Sequence, residues 1–207
     1  MTEQEFIDKI NMKYAEAKKL FETDAKYNIK RGTAHSVSGY VEDIFSLYMA
    51  ERLDNPNNFY LVDKLISLRF SKNGKATTFK PDLAIIQNQC LTHYYDLKTN
   101  LGWNRELDKY LRQKDAFIQK IKGRKGWVYF EKENRPEIVF STELKYQMVV
   151  FSGWNINQDL LAKNIELASS LDNVDLHILN IWDKKENSLS MDKSAFDCLH
   201  KEIQELV

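Results

Sequence analysis

The chain has 207 residues, 30 basic against 30 acidic side chains and 43% hydrophobic residues, enough to bury a substantial core as a single domain over residues 1–207. Its two cysteines, Cys90 and Cys198, show no Cys-x-x-Cys or Cys/His ligand spacing, which argues against a disulfide framework and a structural zinc site and for a reducing cytoplasm. A charged N-terminal stretch and the absence of any apolar run near the roughly 18 residues of a membrane span argue against a signal peptide and a membrane partner.

Apolar residues Phe6, Ile7, Ile10, Tyr14, Ala17, Leu20 and Phe21 recur at helical spacing and predict an amphipathic helix over 3–21. Ser36 is the expected N-cap of a second helix over 37–52, with Val41, Ile44, Phe45, Tyr48 and Met49 on its buried face and Glu42 beside it. Residues 59–70 read as one strand, followed by a turn at Asn73-Gly74 and a hairpin over 79–100. A basic helix over 104–122, short strands at 126–131 and 147–152, a helix over 158–171, a strand over 174–182 and a last helix from 193 complete the chain. This order predicts an α/β fold: helices on a mixed sheet whose first three strands form an antiparallel meander.

Charge is unevenly distributed. Between residues 103 and 126 eight basic residues meet three acidic ones, whereas from 155 to the end five lysines meet ten acids. One basic face on a neutral body suits a polyanion; a solvated helix face explains the same count.

The hairpin carries the most specific signal. With its turn centred on Gln89, Gln87 pairs with Leu91, Ile85 with His93, Leu83 with Tyr95, and Asp82 with Asp96. The two carboxylates then become cross-strand neighbours with Cβ atoms roughly 5 Å apart. Lys98, two residues on, shares their face, and Leu83, Ile85, Leu91, Tyr95 and Leu97 form the opposite, apolar face. Like charges this close repel, so removing either aspartate is expected to preserve or raise metal-free stability. A divalent cation between them would use both as oxygen ligands. An acid-x-Lys tripeptide also begins at Glu16, Asp24, Glu143 and Asp183, but only Asp96 faces a second aspartate in a plausible hairpin. The competing reading is a surface ion cluster neutralised by Lys80 and Lys98.

Pro81-Asp82, thirteen intervening residues, then Asp96-Leu97-Lys98 resembles the signature of the PD-(D/E)XK nuclease superfamily, the restriction-endonuclease-like fold. The helix, three-strand meander, helix, strand order is similar to that family's core. The resemblance implies a Mg²⁺-dependent endonuclease acting on double-stranded DNA, with one or two metal ions per site. In these terms it points to a cytoplasmic type II restriction enzyme working as a homodimer, since two strands must be cut symmetrically. It implies Asp82, Asp96, the Leu97 carbonyl and a helix-borne acid as metal ligands. Glu42 is the matching acid, with Asp43 its rival. Lys98 would orient the attacking water and stabilise developing negative charge. Thr99, Asn100, Trp103, Asn104, Arg105 and Lys109, leaving the sheet beside this site, are the expected DNA contacts. A structure-specific or repair nuclease of the same fold, and a non-catalytic DNA-binding protein that kept the fold, are the alternatives.

Overall fold

The computed structural model describes residues 1–22, 37–101, 106–131, 133–153, 157–183 and 188–205. The elements are α1 (Glu3–Glu22), α2 (Ser38–Leu53), β1 (Phe59–Val62), β2 (Ile66–Leu68), β3 (Thr77–Phe79), β4 (Leu83–Gln87), β5 (Cys90–Asn100), α3 (Leu107–Ile121), β6 (Lys125–Val128), β7 (Glu137–Phe140), β8 (Tyr146–Ser152), α4 (Gln158–Ser169), β9 (Val174–Ile178), β10 (Asn180–Asp183), β11 (Ser188–Met191) and α5 (Lys193–Glu205).

The α/β expectation holds at this level. Strands β1, β4 and β5 form an antiparallel meander, and β5 continues into parallel pairing with β8, which is parallel to β9. The near-continuous apolar runs of β4 and β8 follow from burial on both faces. One face packs Leu83, Ile85, Tyr95, Leu97, Val149 and Phe151 against α1, α2 and α5. The other packs Ala84, Ile86, Leu91, Tyr94, Met148 and Val150 against α3 and α4. Val41, Ile44, Phe45, Tyr48 and Met49 are the buried face of α2, as its spacing predicts. The expected cap Ser36 lies outside the described residues; Val37 occupies the N-cap position and makes no side-chain cap bond.

The predicted strand over 59–70 is two strands. Asp63 has a φ of +57°, a left-handed conformation that ends a strand, so β1 pairs with β4 while β2 turns away to pair with β3 and β6. The Asn73-Gly74 turn therefore closes the β2–β3 hairpin. β5 is long enough to serve two neighbours: Cys90 and Leu91 pair with β7, and Tyr94 onward with β8. The strand expected over 174–182 divides into β9 and β10, the latter joining β11 in a two-stranded sheet. Strands β3, β7 and β11 have no counterpart in the elements read from the sequence. No helix among the described residues is long and apolar enough to cross a membrane, and both cysteines are free.

The hairpin register also differs at its tip. Asn88 and Gln89 both have positive φ, +49° and +63°, the requirement of a two-residue type I′ connection, so Gln87 pairs with Cys90 and Ile86 with Leu91. An extra residue, Thr92, then enters β5, and from Ile85↔His93 to Leu83↔Tyr95 the predicted register is restored. A bulge reverses the side-chain alternation beyond it. That is why Leu91 is buried with Tyr94 on the α3 side rather than with Tyr95 and Leu97.

Candidate active site

Asp82 stands immediately before β4. Its amide donates to the Tyr95 carbonyl at 3.1 Å, extending the β4–β5 pairing by one residue and setting it beside Asp96. The Leu97 amide donates to Asp82 Oδ2 at 2.6 Å, and the Asp96 charge acts on the Asp82 carboxyl. With Leu83 paired to Tyr95, Asp82 and Asp96 are the next residues of the two chain segments.

The environments of the two acids are unlike. Burial pushes the Asp82 carboxyl up to about 7; the Leu97 amide opposes this and the Asp96 charge adds to it. Burial also acts on Asp96, 7% exposed, but the charge and hydrogen bond of Lys98 and the hydroxyls of Tyr110 and Tyr146 outweigh it and hold Asp96 below its ordinary range. Lys98 is ion-paired to Asp96 Oδ1, while Tyr110 donates to Oδ2 at 2.6 Å and Tyr146 donates to the same oxygen.

Tyr110 and Tyr146 are site residues that the motif search missed. Tyr110 lies in the inward stripe of α3 with Leu107, Leu111 and Ile118, so helical periodicity could have found it. Lys114 belongs to the same stripe. Counted in the sequence as part of a basic face, it instead turns inward, donates to Tyr94 at 3.0 Å and lies 4.8–5.2 Å from the ring centroids of Tyr94, Tyr110 and Tyr146. Burial lowers its pKa, and the nearby Asp96 charge counteracts this.

Glu42 is half-buried on α2 and Asp43 is exposed. Burial raises the Glu42 pKa, with the Asp63 charge adding and the Lys80 charge opposing. Lys80 itself pairs with Asp63 at 2.5 Å. Among the described residues, no group of three His, Cys, Asp or Glu side chains is gathered as a metal cage. A two-carboxylate donor set still fits Mg²⁺, which keeps several waters and commonly takes only one or two protein carboxylates together with substrate phosphate. The Asp82 carboxyl, raised by burial and a like charge, is the group such a cation would relieve.

Of the expected DNA contacts, Thr99 lies beside Tyr14 of α1, Asn100 ends β5 opposite Ser152, and Lys109 is exposed near Glu106 at 3.6 Å. Trp103, Asn104 and Arg105 lie outside the described residues. Comparison with protein-family models, curated proteins and solved structures gives no match.

Proposed function

We propose that this chain is a Mg²⁺-dependent endonuclease of the PD-(D/E)XK superfamily that hydrolyses phosphodiester bonds in double-stranded DNA, as a homodimer of type II restriction character. The observation that carries the reading is the juxtaposition of Asp82 and Asp96 at the β4–β5 pair, with Lys98 on the second carboxylate. The antiparallel meander continued by a parallel strand supports the finer fold assignment.

Asp82, Asp96 and the Leu97 carbonyl would hold the cation, with Glu42 reaching it directly or through water. A bound divalent cation supplies a water of lowered pKa and neutralises charge on the scissile phosphate. Lys98 then orients the attacking water and stabilises the extra negative charge as the water oxygen bonds to phosphorus, losing its proton, and the single ester P–O bond to the leaving 3′ or 5′ oxygen breaks. Tyr110 and Tyr146 fix the Asp96 carboxylate by donating to the oxygen that Lys98 does not use. The Arg105–Lys109 segment would carry backbone phosphates into the site.

One observation favours a second reading, the non-catalytic DNA-binding protein: Asp96 already accepts from Lys98, Tyr110 and Tyr146, the arrangement of a satisfied structural network. Incubation of purified protein with plasmid, linear and branched DNA in Mg²⁺, with product ends mapped, separates the possibilities. Discrete fragments that vanish in Asp82→Ala support the restriction reading, and branch-dependent products support the repair nuclease. Intact DNA under all conditions would contradict the endonuclease assignment.

A further inference from the structure

Away from the carboxylates, three arginines rest on aromatic rings around the β2–β6 pair. The Arg69 guanidinium lies 5.6 Å from the Trp127 ring centroid, Arg124 lies 5.3 Å from Phe70, and Arg135 lies 4.7 Å from Tyr129. Arg69, Gly126, Trp127, Arg135 and Glu137 line an open concavity of about 360 Å³. Strand alternation explains the convergence. Trp127 pairs with Ser67 on one side and Glu137 on the other, so these residues leave the sheet opposite Leu68 and Val128, which enter the core.

Several groups meet at one hydroxyl. The polar groups of neighbouring Trp127 and Ser67, then the charges of Arg135 and Arg69, hold the Tyr129 hydroxyl below its ordinary pKa. The strand bearing Trp127 is fixed tightly against its neighbour: a Cβ on Gly126 would fall 2.5 Å from the Ser67 carbonyl oxygen and 2.8 Å from the Phe140 ring. Glu137, the acid in the lining, is paired with Lys125 at 2.7 Å. Arg69 pairs with no carboxylate among the described residues. The concavity therefore presents net positive charge on preorganised planes.

We propose that this concavity binds a single-stranded stretch of nucleic acid, with Arg69 and Arg135 taking backbone phosphate oxygens and the Trp127–Tyr129 surface meeting unstacked bases. A guanidinium laid on a ring keeps its N–H edge for bidentate phosphate contact. Aromatic rings beside such cations are the sequence-tolerant platform used for single strands. The choice of nucleic acid over another polyanion rests on the nuclease reading above. The residues are distinct from those of the carboxylate site, so the two can be tested apart.

The test is fluorescence anisotropy of a labelled single-stranded DNA oligonucleotide in EDTA, where cleavage plays no part, comparing wild type with the Arg69→Gln/Arg135→Gln double variant. The expected result is an affinity loss of about tenfold or more and a log–log salt slope smaller by about 1.4, two phosphate contacts at the single-strand value. Arg69→Lys/Arg135→Lys, which keeps both charges, should largely restore the slope while affinity stays reduced. Unchanged affinity and slope in the glutamine variant would overturn the inference and leave the nuclease reading standing. Failure of wild type to bind the oligonucleotide would also overturn it. Mg²⁺-dependent cleavage by wild type, measured separately, judges the nuclease reading itself: binding lost on substitution without any cleavage would keep this site and sink that reading.

Discussion

Asp82 and Asp96 share one motif but sit in opposite electrostatic situations. Asp82 keeps its proton in the fold to about pH 7, whereas in the unfolded chain it releases it near the ordinary carboxyl value. Between those limits the native state binds more protons, so metal-free stability falls as pH rises from about 4 to 7. Asp82→Asn should remove that slope and raise stability at pH 8 by about 1–2 kcal/mol. Urea denaturation in EDTA at pH 5 and pH 8 measures it, and an unaltered pH dependence would refute the burial argument. Asp96 has the reverse sign: its lowered pKa contributes stability above the unfolded value that is lost on acidification. Removing it would strand Lys98, Tyr110 and Tyr146, so Asp96→Ala should destabilise, contrary to the expectation from charge repulsion that both substitutions are harmless. Tyr146→Phe, which deletes one donor to a buried carboxylate, should cost about 1–3 kcal/mol in the same denaturation assay; a change under a few tenths would show that Tyr110 and Lys98 satisfy Asp96 without it.

The hairpin is where sequence reasoning succeeded and failed within a few residues. The Asp82–Asp96 juxtaposition was legible because alternation and a short polar turn constrain it. The Thr92 bulge was not: it compensates a turn shorter by one residue, and the two shifts cancel before the aspartates are reached. The buried face of α2 was legible from its spacing, since the 3.6-residue period needs no tertiary information. Tyr146 donating to Asp96 depends on the β5–β8 pairing, which no local pattern encodes, and β7, four residues long after Pro136, is too short to announce itself. Gln89 holds a left-handed conformation better suited to glycine. Gln89→Gly should therefore stabilise the protein by about 0.5–1 kcal/mol. Thermal melting would reveal it, and a lower melting temperature would mean that the Gln89 side chain contributes more than its backbone strain costs.

At the scale of the whole molecule, one sheet buried on both faces holds the carboxylate pair at its centre, where β4 begins and β5 passes into parallel pairing with β8. Helix α3 brings Tyr110 onto Asp96 and Lys114 beside it on Tyr94. If the site performs the metal-dependent phosphodiester hydrolysis proposed above, Lys98 is the residue that most separates it from a structural ion network. Single-turnover DNA cleavage by Lys98→Ala at saturating Mg²⁺, beside DNA binding with Ca²⁺ as a non-productive substitute, is the most direct measurement. Binding should stay close to wild type while cleavage slows about 10²-fold or more. A near-normal cleavage rate would contradict the catalytic role of Lys98, and cleavage absent from wild type would contradict the account as a whole.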